Sequence, residues 1–133
     1  MMQRHPPGRT RADLLGRSVL LVEDDFCEAR DTQQALQHAG ANVIGPFGDS
    51  ESALRSIARG NPSCAILDIH LRDGRRFNVA GALLDRGVPI IFVTGADASE
   101  IPQDLSEIPV LHKPVDVHSL LILAARLSAD RWT

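Results

Sequence analysis

The chain is 133 residues long, one domain's worth of polypeptide; its 44% hydrophobic content excludes wholesale disorder, and only 4% aromatic residues means an aliphatic core. Fourteen Lys and Arg against 17 Asp and Glu give a net charge of −3, which lacks the basic face that nucleic-acid binding needs. Two cysteines outside any CxxC pattern argue against a disulfide scaffold or structural zinc, and the longest apolar run, residues 120–125, is far short of a membrane span. With no secretory leader readable at the N-terminus, a reducing cytoplasm is the expected location.

Residues 1–16 are rich in Pro, Gly and Arg without any hydrophobic period, and read as a flexible basic arm ahead of a domain over 17–130. Short branched apolar runs then recur at 19–22, 41–44, 64–67, 89–93 and 109–111, each bounded by Gly, Pro or Asp. Such runs read as strands buried on both faces, as in a parallel sheet. A helix over 26–39 turns Ala29, Thr32, Ala35, Leu36 and Ala39 inward and stops at Gly40. A second begins at Asp49 or Ser50, with Ala53, Leu54 and Ile57 inward and Gly60 at its end. A third covers 77–86, with Val79, Ala82 and Leu83 inward. The stretch 96–108 holds Pro102 and offers one or two turns. Asp116 caps a last helix whose inward face carries Val117, Leu120, Leu121, Ala124 and Leu127. Buried strands alternating with amphipathic helices predict a flavodoxin-like, doubly wound (βα)5 sandwich with parallel order 2-1-3-4-5.

In such sheets ligands bind at the carboxyl ends of the strands. The first strand delivers Glu23, Asp24 and Asp25 there, the third Asp68 and then His70, the fourth Thr94 and Gly95, the fifth Lys113 and Pro114. Carboxylates crowded into one pocket repel unless a hard divalent cation joins them, and oxygen ligands of this kind suit Mg²⁺ or Mn²⁺. Lys113 and Thr94 add a fixed cation and a hydroxyl, which makes a place for a phosphoryl group. Asp68, alone at the end of the central strand, is the candidate nucleophile for an acyl phosphate.

Four segments in chain order, Val19-Leu20-Leu21-Val22-Glu23-Asp24, Ala65-Ile66-Leu67-Asp68, Phe92-Val93-Thr94-Gly95 and His112-Lys113-Pro114, resemble the receiver domain of two-component response regulators. The resemblance covers residues from about 18 to 128, with a looser likeness to variant receivers that carry Phe-x-Thr-Gly. It implies that Asp68 is the phosphoacceptor and that Glu23 and Asp24 form the acidic pair, with Asp24 a direct Mg²⁺ ligand. It further implies that the His70 backbone carbonyl is the third protein ligand, Thr94 the switch hydroxyl, and Lys113 the lysine that precedes a cis-prone proline. Asp25 falls outside that ligand set. The chain departs from the pattern at Arg72, where Pro is common, at Gly95, where Ala is common, and at Val110, which replaces the aromatic partner of the switch hydroxyl.

The resemblance implies a stand-alone cytoplasmic phosphoacceptor switch rather than an enzyme. A sensor histidine kinase or histidine phosphotransfer protein donates the phosphoryl group, and a downstream protein target reads the result, with neither nucleic acid nor membrane involved. Two alternatives remain open: a pseudo-receiver that only binds proteins, and a small Mg²⁺-dependent phosphatase that forms an aspartyl phosphate. The all-round apolar segment Leu120-Leu121-Ile122-Leu123-Ala124-Ala125 suits a self-association or partner surface on the face of the fourth and fifth helices, or else is covered by the N-terminal arm or Trp132. Cys27 and Cys64 read as small packing residues.

Overall fold

The computed structural model describes residues 13–71, 76–95 and 98–130. Five parallel strands, β1 (Ser18–Val22), β2 (Asn42–Phe47), β3 (Cys64–Asp68), β4 (Ile90–Thr94) and β5 (Val110–His112), form one sheet in the order β2-β1-β3-β4-β5. The helices are α1 (Phe26–His38), α2 (Ser50–Arg59), α3 (Arg76–Asp85) and α4 (Val117–Asp130). The crossover from β4 to β5 carries two single 3₁₀ turns, Ala98–Glu100 and Gln103–Leu105, where the sequence predicts one or two turns. Pro102 directly precedes the second turn and its lack of an N–H keeps the two from joining into one helix.

The period-2 alternation of the strands sorts their side chains onto two cores. Leu20, Val22, Ala65, Leu67, Ile90 and Phe92 pack with α2 and α3, while Val19, Leu21, Cys64, Ile66, Ile91 and Val93 pack with α1 and α4. β3 is buried at every position because strands flank it on both sides and helices cover both faces. Phe92 meets Phe77 of α3 edge to face, with ring centroids 6.0 Å apart. Asp49 caps α2 as expected, accepting from the Ser52 N–H at 2.7 Å, and Asp25 caps α1, accepting from the Glu28 N–H at 2.9 Å.

Several expectations are corrected. Val117, expected on the inward face of the last helix, is 42% exposed at its first turn. β2 does not end at residue 44 but continues through Gly45-Pro46 to Phe47, whose carbonyl accepts from the Glu23 N–H at 2.8 Å. The register with β1 slips between Leu20 and Val22 to absorb the extra residue. Gly45 makes that bulge (φ +107°), since a Cβ there would lie 2.7 Å from the Leu21 carbonyl oxygen. On α3 the inward positions are Val79, Ala80 and Leu83, with Ala82 half-buried. Cys64 is buried in the core as expected, but Cys27 is exposed on α1.

Of the basic arm over 1–16, residues 1–12 lie outside the described residues, as do Arg72 and Trp132. Within 13–16, Leu14 is fully buried and its N–H donates to the Ala39 carbonyl at 2.9 Å, so the packed domain already includes it. Ile122 and Leu123 of α4 are half-buried, and Leu123 packs against the core beneath. No helix among the described residues is long and apolar enough to cross a membrane.

Candidate functional site

The strand ends converge as the topology requires. β1 and β3 are neighbours, which sets Glu23 and Asp24 beside Asp68, and β4 ends next to Asp68 through the Asp68–Val93 pairing. The Lys113 N–H donates to the Thr94 carbonyl at 2.7 Å, which ties the end of β5 to that of β4 and delivers the lysine to the same rim. The Lys113–Pro114 peptide is cis.

Asp68 is 3% exposed and Glu23 8% exposed, while Asp24 is half-buried. One carboxylate oxygen from each of the three lies within 4.8 Å of the other two. The Lys113 ammonium sits 3.1 Å from Asp68 Oδ2, 3.3 Å from Glu23 Oε1 and 3.0 Å from Glu28 Oε1. The second Asp68 oxygen, Oδ1, accepts from the His70 N–H at 2.9 Å, which fixes the His70 backbone beside the acceptor. Asp25 caps α1 with its side chain, and its own N–H donates to Glu23 Oε2 at 3.0 Å.

The electrostatics follow from this crowding. Burial, reinforced by the neighbouring Asp68 carboxyl, pushes Glu23 up to about 7. Burial also opposes ionisation of Asp68, but hydrogen bonds from Glu23, the His70 N–H and Lys113 outweigh it and hold Asp68 below the usual carboxylate range. Burial disfavours the charged Lys113 ammonium, yet the bonds to Glu28 and Asp68 prevail and raise its pKa. Of the pair, Asp68 is thus the carboxylate that the site favours in its ionised form, and Glu23 the one whose protonation relieves the repulsion. A cleft of about 550 Å³ between α1 and α4, with Leu21, Ile66 and Leu120 at its apolar end, reaches Asp68 and gives the buried acid an opening.

Thr94 is fully buried at the end of β4, and its Oγ1 lies 3.1 Å from His70 Nε2. His70 Nε2 also lies 3.7 Å from Glu100 Oε2 on the first 3₁₀ turn. All six residues named from the sequence, Glu23, Asp24, Asp68, His70, Thr94 and Lys113, therefore stand on one rim. Sequence reasoning missed Glu28 and Glu100. Glu28 carried a signal: it sits three residues past Asp25, on the first turn of the helix that directly follows the acidic strand end. Glu100 carried none, because its position depends on the path of an irregular crossover.

The donor set can hold a metal ion. Three carboxylates from two adjacent strand ends are hard oxygen ligands, and the proton Glu23 takes up marks charge that a divalent cation would neutralise instead.

This arrangement on this fold defines a class that comparison with known proteins confirms. The model of the response regulator receiver domain matches residues 19–124, and the chain belongs to that family. It is 28% identical over 122 residues to the transcriptional regulatory protein PdtaR of Mycobacterium tuberculosis, covering 87% of this chain and 58% of that protein. The chain thus spans a little over half the length of the curated relative it matches. Among solved structures it is similar to SdrG from Pseudomonas melonis Fr1 in its BeF3-activated conformation (32% identity, TM-score 0.68, 83% of this chain and 95% of that one). The receiver domain of the Francisella response regulator 1452 shares the fold (21% identity, TM-score 0.74, 87% of this chain and 99% of that one).

Proposed function

We propose that the protein is a phosphoacceptor switch in which Asp68 takes a phosphoryl group from the phosphohistidine of a sensor histidine kinase or a histidine phosphotransfer protein. Asp24, Asp68 and the His70 carbonyl would hold Mg²⁺, with Glu23 beside them, and a partner protein would read the altered rim. The observation that carries this reading is a carboxylate, 3% exposed at the end of the central strand, with a lysine amine at 3.1 Å and two further carboxylates around it. SdrG, a relative solved in a BeF3-activated conformation, supports it.

In the transfer, an Asp68 oxygen forms the new P–O bond as the P–N bond to the donor imidazole breaks. The bonding electrons stay on the imidazole nitrogen, which takes up a proton. Bound Mg²⁺ supplies positive charge to the phosphoryl oxygens. Lys113 donates to one of those oxygens, and the Thr94 hydroxyl turns to meet another. The protein assists only its own phosphorylation and dephosphorylation, and is not an enzyme in the sense of turning over a separate substrate.

The test is an intact mass after incubation with acetyl phosphate and Mg²⁺. A single, labile phosphoryl adduct is expected in the wild type, with none in Asp68→Asn and none when EDTA removes the metal. Absence of an adduct with both acetyl phosphate and a phosphorylated phosphotransfer protein would overturn the reading in favour of a pseudo-receiver. Steady hydrolysis of sugar phosphates would point instead to a phosphatase.

A further inference from the structure

The position on β5 where the family resemblance expects an aromatic partner for Thr94 holds Val110. Val110 has no polar atom with which to follow Thr94. His70 does: its Nε2 lies 3.1 Å from Thr94 Oγ1, a hydrogen bond, and 3.7 Å from Glu100 Oε2, just beyond one. We infer that His70 is a positioning residue that couples the Thr94 hydroxyl to Glu100, exchanging its one Nε2–H between them when Asp68 is phosphorylated. The inference rests on the reading of Asp68 as phosphoacceptor.

The geometry sets the direction of the exchange. A carboxylate only accepts, and a hydroxyl can accept, so an Nε2–H tautomer serves both with no change of protonation. The ring can hold one of them at a time at full strength. With the rim unphosphorylated it holds Thr94. When the Thr94 side chain rotates to donate to a phosphoryl oxygen, its Oγ1 leaves the ring, and the next acceptor is Glu100. A hydrogen bond to that charged acceptor is shorter and stronger than one to a hydroxyl, so closing it draws the first 3₁₀ turn toward the end of β3. The pull continues along the crossover, because Ile101 and Leu105 both pack on the α2–α3 core. The movement leaves the site through the β4–β5 crossover rather than through β5.

Amide shifts in ¹H–¹⁵N spectra test this, with beryllofluoride and Mg²⁺ as the probe. For each protein the shift at Leu105, remote from the probe, is divided by the shift at Gly95, beside it, so that differences in probe affinity cancel. In the wild type both residues should move. Glu100→Ala should cut the ratio to less than about half, while Glu100→Gln, which keeps an acceptor but loses the charge, should give a ratio between those of the wild type and the alanine variant. His70→Gln, whose amide can reach where Nε2 was, should likewise preserve the ratio that His70→Ala loses. A ratio unchanged in both alanine variants overturns the coupling while leaving Asp68 as acceptor. No shift at Gly95 in the wild type would overturn the phosphoacceptor reading and the coupling with it.

Discussion

The rim has two halves built on opposite principles. On the β1–β3–β5 side, Glu23, Asp24, Asp68 and Lys113 pack charge closely, with Asp68 and Glu23 buried at the bottom of the cleft. On the β4 side, Thr94, His70 and Glu100 form a loose chain, with side chains of His70 and Glu100 37% and 43% exposed. In the first half three carboxylates share one ammonium, so removal of that cation leaves them uncompensated. In the second, water replaces whatever is lost. The first half is suited to bind and stabilise a transferred anion, the second to rearrange at low cost.

The largest expected effect comes from taking the cation out of the closed half. Lys113→Ala should destabilise the metal-free protein at pH 7 by about 3 kcal/mol, read by urea unfolding in EDTA, because two buried carboxylates lose the same partner. Mg²⁺ should restore most of that loss, since it can take over the neutralisation. A cost under about 1 kcal/mol would show that charge compensation does not hold this half together.

A smaller effect comes from pH. Glu23 binds its proton more tightly in the folded chain than in the unfolded one, about 7 against 4.5. Between those values the native state carries more protons than the unfolded state, so the stability of the metal-free protein should fall as pH rises from about 4.5 to 7, by roughly 2 kcal/mol. Asp68, held low, contributes stability that is lost only below that window, and Lys113, held high, contributes stability that is lost only above it. Glu23→Gln should flatten the decline. Mg²⁺ should reverse it, because carboxylates bind the metal in their ionised form and affinity grows as Glu23 deprotonates. Melting temperatures across this range, with and without Mg²⁺, measure both.

The same division explains what could be read from the sequence. Strand periodicity and topology alone bring Glu23, Asp24, Asp68 and Lys113 together, because each lies at, or within two residues of, the carboxyl end of a strand whose place in the sheet is dictated by the βα alternation. Thr94 is legible for the same reason. The direction of the His70 ring is not, since it depends on a loop whose path no period encodes. Gly45-Pro46 looked like the end of β2, yet the strand passes through them: on an edge strand the missing proline N–H breaks no ladder bond inside the sheet, and glycine absorbs the bulge. Leu14 lay in a stretch dominated by Pro and Arg, and a single leucine carries no period to mark it as core.

Glu28 tests where the boundary between the halves runs. By distance it belongs with the closed half, since its 3.0 Å contact to Lys113 is shorter than the 3.3 Å contact of Glu23. By exposure it belongs outside, because its side chain is 46% exposed against 8% for Glu23. Solvent screening should decide the matter over a few tenths of an ångström, because water around Glu28 weakens the attraction and rehydrates the carboxylate when the pair opens. Glu28→Gln should therefore cost no more than about 0.5 kcal/mol, and the cost should vanish near 1 M salt, where the Debye length is about 3 Å. A loss above about 1 kcal/mol that survives high salt would place Glu28 inside the closed half, as a third carboxylate to which Lys113 is committed before any phosphoryl group arrives.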